Sequence, residues 1–317
     1  MVPFKISNLN NYKFLEKSNE FSNSILTNKE YNLDLWSEIF PALASSHSLH
    51  APGSKIYSLL DKLTSNMAQS TFGNFGSQRF QSNDIGELLL PYFKMGAIDS
   101  TNLFGLDELI IFSYYHKNRK NYSVVADIGA NIGLHSIVMA KCGFTVHSFE
   151  PDPIHFNELK KNLELNCVKE KISLNQTAIS SKSGKMNFTR VLGNTTGSHL
   201  TGSRDSPYGP LEQFKVQVEA LPRIMKYVDL MKIDIEGQEA NALKSTNSSD
   251  WDSTDAIIEV SSIKNADLIY NHLQSLNVNM FAQKINWGKA TSAKDLPKSY
   301  KEGSLFISKK AQMPWTN

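Results

Sequence analysis

The stretch VVADIGANIG, residues 124–133, decides the fold of this 317-residue chain. An apolar run ends in an acid, a glycine-rich turn follows, and residues 132–141 have a helical pattern. A second apolar run, residues 145–149, is closed by Glu150. This order predicts a strand, a tight turn, a helix and a second strand, with a nucleotide pocket at the turn.

The turn also indicates which nucleotide binds. Gly129 and Gly133 let the backbone approach a ligand, and Glu150 is placed to accept both hydroxyls of a ribose. Dinucleotide folds use three glycines, G-x-G-x-x-G, whereas this turn has two and follows Asp127. That acid repels a pyrophosphate and attracts the ammonium of an amino-acid-bearing nucleoside. We therefore expect S-adenosylmethionine rather than NAD.

Several further motifs occur in order along the chain. They are DIGANIG (127–133), FEPDP (149–153), LELN (163–166), AIS (178–180) ahead of Gly184, and KIDIEGQE (232–239). Together they resemble the FkbM family of S-adenosylmethionine-dependent methyltransferases, over residues 124–262. One departure is Leu221-Pro222, which stands where the family often has a Leu-Asp pair before the KIDIEG strand. The resemblance implies methyl transfer to hydroxyl groups of small molecules or glycans.

The composition is that of an ordinary globular protein. The chain is 40% hydrophobic and 20% charged, and its net charge of +2 is too small to predict a nucleic-acid partner. Cys142 and Cys167 are expected to be reduced thiols. No apolar stretch of about 18 residues exists, so we expect no membrane segment and a cytoplasmic location.

The pattern divides the chain into two parts. Residues 1–120 predict a mostly helical N-terminal extension, which either caps the pocket or only packs on the sheet. Residues 121–317 alternate strands and helices, which predicts an α/β methyltransferase domain with a Rossmann-like, doubly wound sheet of the class I type. Within this domain we expect one strand over 172–179 and an inserted pair of strands over 185–191 and 214–219. Between the paired strands, residues 192–211 form a long polar loop, where we place the substrate entrance.

The cofactor contacts are expected from the turn and from two strand ends. They are Asp127, Gly129, Ala130, Asn131, Gly133, Glu150, Pro151, Asp152, Gln176 and Ala178. Asp127 is expected to hold the ammonium directly or through water, and Glu150 the ribose hydroxyls. Gln176 and Ala178 are expected beside the adenine, opposite Pro151.

Methyl transfer to an alcohol requires an aligned nucleophile and a group that removes its proton. Our first candidate for that base is Asp234, which strand alternation places on one side with Lys232 and Glu236. Glu236 and Glu239 are the next candidates, since both follow at the strand-to-helix turn. Lys232 is a further candidate that alternatively forms an internal ion pair. Glu259 either pairs with Lys232 or helps Asp234 to hold a divalent metal ion, which we do not favour. His199, in the long loop, is another candidate base.

These patterns predict an S-adenosylmethionine-dependent O-methyltransferase. The family resemblance implies a hydroxyl of a small molecule or glycan as the acceptor, and we favour a sugar of a surface glycan or its nucleotide-linked precursor. Arg190, Arg204 and Tyr208 suit such an acceptor, or alternatively face solvent. Two other classes stay open, an NAD-dependent oxidoreductase and an inactive Rossmann-like binding module. Some oxidoreductases have a Tyr-x-x-x-Lys pair. Tyr227 does not form one, because the residue four positions after it is Met231 and not a lysine.

Overall fold

The computed structural model describes residues 28–203 and 209–315, with side chains from residue 36 onward. The helices are α1 (Asn28–Ser45), α2 (Lys55–Phe72), α3 (Leu106–Lys117), α4 (Leu134–Lys141), α5 (Pro153–Leu165), α6 (Leu221–Ile224), α7 (Glu239–Leu243) and α8 (Ile263–Ser275). The strands are β1 (Arg79–Ser82), β2 (Gly86–Leu89), β3 (Val124–Ile128), β4 (Thr145–Phe149), β5 (Ile172–Asn175), β6 (Thr177–Ser180), β7 (Gly184–Val191), β8 (His199–Leu200), β9 (Leu211–Ala220), β10 (Leu230–Ile233), β11 (Asp255–Glu259), β12 (Asn279–Ala282), β13 (Gly288–Lys289) and β14 (Ser304–Ser308).

The central sheet has eight strands in the order β13-β12-β14-β11-β10-β3-β4-β5. Within this sheet, the neighbouring strands β11, β10, β3, β4 and β5 run parallel to one another. Strand β14 lies between β11 and β12 and is antiparallel to both. Numbered in chain order without the short edge strand β13, these strands stand 3-2-1-4-5-7-6. The parallel part has the order of a doubly wound Rossmann-like sheet, which confirms the predicted fold class.

Strand β3 lies at the middle of this sheet and is buried on both faces. Val125 belongs to the hydrophobic core on one face, while Ala126 and Ile128 belong to the core on the other. Successive side chains of a strand point to opposite faces, so an almost continuous apolar run is what such a strand requires. Helices cover both faces, and this fixes the turn after β3 between two packed layers.

The N-terminal extension shares one hydrophobic core with a face of the sheet. Its centre is aromatic: the ring of Trp36 stacks on Phe80 with centroids 4.5 Å apart, and Phe72 stacks on Phe104. Not every apolar residue of α2 enters this core, since Leu59 remains 59% exposed. The buried face of α2 is instead formed by residues of its second half, among them Met67 and Phe72. None of the helices in the described ranges is long and apolar enough to cross a membrane.

A second, four-stranded sheet in the order β6-β9-β7-β8 is inserted after β5. The expected pairing of the segments near 185–191 and 214–219 is present, as β7 and β9 pair antiparallel over eight residues. The single strand expected over 172–179 is instead broken at Gln176, so that β5 joins the central sheet and β6 the inserted one. The long loop after β7 includes β8, and its residues 204–208 lie outside the described residues.

Candidate active site

A cavity of about 780 Å³ opens at the carboxyl ends of β3, β4, β10 and β11. This is the point where the strand order reverses, between β3 and β10, and open α/β sheets bind ligands there. The turn after β3 forms one wall, the start of α3 faces the cavity from the N-terminal extension, and the inserted sheet with residues 194–200 forms a third wall.

The turn after β3 packs closely against the end of β10. Gly129 has a left-handed backbone with φ +82°, and a Cβ atom added there would lie 1.8 Å from the carbonyl oxygen of Asp234. At Gly133, with φ +93°, an added Cβ would lie 2.3 Å from Cδ1 of Leu159 on α5. Gly129 thus allows a close approach beside the cavity, while Gly133 serves helix packing.

Glu150 lies at the end of β4 and lines the cavity, although only 6% of it is exposed. One carboxylate oxygen accepts the backbone N–H of Asn131 at 2.9 Å, and the other accepts that of Asp152 at 2.8 Å. Burial raises the pKa of Glu150 to about 8, even though these two N–H groups favour the ionised form. Each oxygen has a second lone-pair site, so the group suits the two hydroxyls of a ribose.

Asp127 is fully buried, and Oδ2 accepts the hydroxyl of Ser136 at 2.6 Å. Asp127 is not among the described residues that line the cavity. Two buried side-chain oxygens near the turn have no hydrogen-bond partner within the described part of the chain, Oδ1 of Asp127 and Oδ1 of Asn131. Asn131 does line the cavity, so an unpartnered acceptor stands on the donor side, where S-adenosylmethionine brings an ammonium. The turn therefore fits that cofactor.

Pro151 and Asp152 line the cavity next to Glu150, and their contact with the adenine stays a prediction. Asp152 also begins α5, because Oδ1 accepts the backbone N–H of Ile154 at 2.8 Å. Arg190 forms a buried, bidentate ion pair with Asp152, at 2.6 and 2.7 Å. Arg190 is therefore not exposed to solvent and is not among the described residues that line the cavity, so both of those interpretations were wrong.

The remaining cofactor candidates divide between the cavity and its surroundings. Ala178 lines the cavity, whereas the side chain of Gln176, at the break between β5 and β6, is exposed to solvent. Ala130 is 5% exposed and its N–H donates to the carbonyl of Phe149. Among the described residues, Gln176, Ala130 and Gly133 do not line the cavity. Cofactor contacts from these three residues stay predictions.

The register of the sheet places Asp234 at the centre of the site. Ile233 of β10 pairs with Ile128 of β3 and with Ile258 of β11, so the next residue, Asp234, lies between Gly129 and Glu259. Adjacent strands are about 4.8 Å apart. Asp234 and Glu259 both line the cavity. The carboxylate of Asp234 thus lies between the glycine turn at Gly129, which we call the donor turn, and the wall of the cavity that includes Glu259.

Lys232 lies behind this carboxylate, with Nζ 3.3 Å from Oδ2 of Asp234. Burial disfavours its charge, but the nearby carboxylates of Asp234, Asp127, Glu108 and Glu259 outweigh burial and raise the pKa of Lys232. Burial, together with the charges of its acidic neighbours, raises the pKa of Glu259 well above its ordinary value. The internal ion pair considered for Lys232 is therefore present, with Asp234 as its partner.

Glu236 and His199 also line the cavity. Glu236 has left-handed backbone, φ +54°, in the turn after β10. His199 is 2% exposed, and its Nδ1 lies 2.9 Å from the carbonyl oxygen of Gly197. Glu239, another candidate from the same turn, instead accepts the N–H groups of Ile235 and Gly237 and so holds the turn in place.

Four acidic or histidine side chains of the cavity wall were not expected from the sequence: Asp61, Asp107, Glu108 and His155. Asp107 Oδ1 accepts hydrogen bonds from the Tyr57 hydroxyl at 2.8 Å and from the Gln283 amide. Burial raises the pKa of Asp107 to about 6. In the sequence, Asp107 and Glu108 stand together at the start of an apolar helix. Acids are favoured at helix N-termini, so this position alone does not indicate that they line a cavity.

Glu108 pairs with His135 of α4, with Oε2 and Nε2 2.7 Å apart. Burial raises the pKa of Glu108, but the His135 partner outweighs it and the net shift is downward. Within residues 28–203 and 209–315, no Lys or Arg lines the cavity. No group of three or more His, Cys, Asp or Glu side chains in the same ranges is arranged to hold a metal ion.

The strand order and the glycine turn with its following acid define a methyltransferase-type α/β protein. Residues 127–283 match the family described as the methyltransferase FkbM domain. This part of the chain is therefore an FkbM methyltransferase domain, and the resemblance seen in the motifs is confirmed.

The chain is also similar to curated methyltransferases. The chain is 25% identical over 196 residues to methyltransferase sdnD of Sordaria araneosa, covering 51% of this chain and 75% of the relative. It is 27% identical over 161 residues to the 31-O-demethyl-FK506 methyltransferase FkbM of Streptomyces tacrolimicus, covering 40% and 61%. The match to the latter thus spans less than two thirds of that protein.

Among solved structures, the chain is similar to a methyltransferase FkbM from Methylobacillus flagellatus, with 14% identity and a TM-score of 0.37. That likeness covers 63% of this chain and 53% of the other.

Proposed function

We propose that the protein is an O-methyltransferase that transfers the methyl group of S-adenosylmethionine to a hydroxyl of a small molecule or glycan, with a sugar as the favoured acceptor. The observation that carries this proposal is the position of Asp234. Its carboxylate lies between the donor turn at Gly129 and the acidic wall at Glu259. A group there would be next to both the donor and the acceptor of the proposed methyl transfer.

In this proposal Asp234 removes the proton of the acceptor hydroxyl as the oxygen attacks the methyl group. The carboxylate is held by Lys232, whose Nζ is 3.3 Å away, so its orientation is fixed before the acceptor arrives. S-adenosylmethionine, when bound, supplies an electrophilic methyl group on a sulfonium. Glu150 and the turn at Asn131 would hold its ribose and its amino-acid end.

The lining favours a neutral acceptor that donates hydrogen bonds. Asp107, Glu108 and Glu236 face the cavity, and no Lys or Arg does so among the described residues. Carboxylates accept hydrogen bonds from hydroxyls and repel phosphate or carboxylate groups. The relative from Streptomyces tacrolimicus is named for methylation at an oxygen, which agrees with O-methyl transfer.

The donor half of the proposal is tested by calorimetric titration with S-adenosylhomocysteine, with NAD for comparison and Glu150→Ala as the control. We expect binding of the homocysteine product that is absent for NAD and lost in the variant. Binding of NAD instead would return the site to the oxidoreductase class.

The catalytic half is tested with Asp234→Asn in an assay of labelled donor against a panel of sugar acceptors. We expect turnover to be lost while the Kd of S-adenosylhomocysteine stays within about twofold of wild type, because the amide keeps the shape but cannot take a proton. Near-normal turnover in this variant would remove Asp234 from the mechanism.

A further inference from the structure

Arg190 lies on β7 of the inserted sheet and is 5% exposed. Its guanidinium grips Asp152 with two parallel bonds, Nε to Oδ2 at 2.6 Å and Nη2 to Oδ1 at 2.7 Å. The third nitrogen, Nη1, reaches Glu212 at 2.6 Å, and that side chain is 51% exposed. Only the inner pair is desolvated on both sides, so only the inner pair fixes geometry tightly.

Asp152 connects this ion pair to the donor site. Its backbone N–H donates to Oε1 of Glu150 at 2.8 Å, while its own carboxylate is held by Arg190 and by the first turn of α5. Burial disfavours its charge, but Arg190 and the other donors outweigh burial and lower the pKa of Asp152. The charged form of Asp152 is thus maintained two residues from the carboxylate that faces the ribose.

Within the part of the chain that the structure describes, two backbone N–H groups donate to the Glu150 carboxylate. The N–H of Asp152 orients Oε1 and the N–H of Asn131 orients Oε2. If Asp152 shifts, the plane of the Glu150 carboxylate turns, and it no longer meets both hydroxyls of a ribose. A buried ion pair is weak evidence for stability but can fix one conformation.

We propose that Arg190 is a positioning residue for the methyl donor: by holding Asp152, it sets the carboxylate of Glu150 to bind the ribose hydroxyls. The inserted sheet is then part of the donor site and not only a wall of the cavity. This inference rests on the proposed donor site, and its test separates the two.

The test measures discrimination of the ribose hydroxyls in the full-length protein. Adenosine and 2′,3′-dideoxyadenosine compete against S-adenosylhomocysteine, and the ratio of their dissociation constants is compared between wild type and Arg190→Met. Wild type is expected to prefer adenosine. Arg190→Met should bring the ratio close to one and should weaken the binding of S-adenosylhomocysteine about tenfold or more. This is the loss of affinity expected when hydrogen bonds to a charged group are misaligned.

Two further variants keep the outcome clear. Glu212→Gln removes the exposed partner of the same guanidinium and should leave the ratio unchanged. Arg190→Lys keeps the charge without the fork and should give an intermediate ratio; it decides the question if Arg190→Met does not fold.

A purely structural role for Arg190 would weaken both nucleosides alike and leave their ratio at the wild-type value, which would overturn the inference. Failure of the wild type to bind S-adenosylhomocysteine would instead overturn the proposed function, and this inference with it.

Discussion

Gly129→Ala is the substitution whose cost follows most directly from the structure. The new Cβ would lie 1.8 Å from the carbonyl oxygen of Asp234 and 2.9 Å from its carbonyl carbon, both backbone atoms that no side-chain rotation can move. The left-handed backbone, φ +82°, adds roughly 1–2 kcal/mol for any residue with a Cβ. Overpacking adds roughly 1–3 kcal/mol, so the loss of unfolding free energy is roughly 2–5 kcal/mol.

Gly143→Ala is the matched control. Gly143 also has a left-handed backbone, φ +106°, but a Cβ there meets nothing within 4 Å. It should lose only the backbone part, roughly 1–2 kcal/mol. Chemical denaturation of the two variants therefore separates the contact with Asp234 from the strain of the backbone.

The same pair tests the site. Relief of the clash at Gly129 must move either the donor turn or the end of β10, which carries Asp234. We therefore expect Gly129→Ala to weaken the binding of S-adenosylhomocysteine and Gly143→Ala to leave its affinity unchanged, both measured by calorimetry. Equal stability losses together with unchanged donor binding would refute the close packing of turn and strand on which the site is built.

Two other predictions concern charge. Because burial raises the pKa of Glu150 to about 8, its proton must leave before both oxygens accept ribose hydroxyls. The affinity for S-adenosylhomocysteine should therefore increase as pH rises toward about 8, and Glu150→Gln should make the affinity less dependent on pH. The free protein should lose stability over about pH 4.5 to 8, where the unfolded chain has released a proton that the folded chain keeps; equal slopes for wild type and Glu150→Gln would contradict this. Lys232→Met leaves the Asp234 carboxylate without its cation and should cost roughly 3–5 kcal/mol of unfolding free energy, whereas a loss below about 1 kcal/mol would show that the pair contributes little.

The meeting of Gly129, Glu150 and Asp234 at one cavity could be predicted because each of them directly follows a strand with its own local pattern. The parallel sheet brings the carboxyl ends of these strands together. Gln176 failed to reach the cavity because one break sends the chain from the central sheet into the inserted one.

The opposite wall could not be predicted, since contacts distant in sequence create it. Asp107 is held by Tyr57, 50 positions before it, and by Gln283, 176 positions after it. Arg190 likewise meets Asp152 across 38 positions, through an inserted sheet whose docking no local pattern specifies. Its position in a β-strand was recognisable, but its partner was not.

The two halves of the cavity also differ in how they relate to the family. The family match spans residues 127–283, which include the donor turn, Glu150, Asp234 and Glu259. Asp61, Asp107 and Glu108 come before that span and still line the same cavity. The family match therefore covers the residues proposed for the donor and the base, whereas the N-terminal extension contributes another part of the cavity lining. If the acceptor binds against that lining, as we propose, acceptor choice should follow residues 61–108 more closely than residues 127–283.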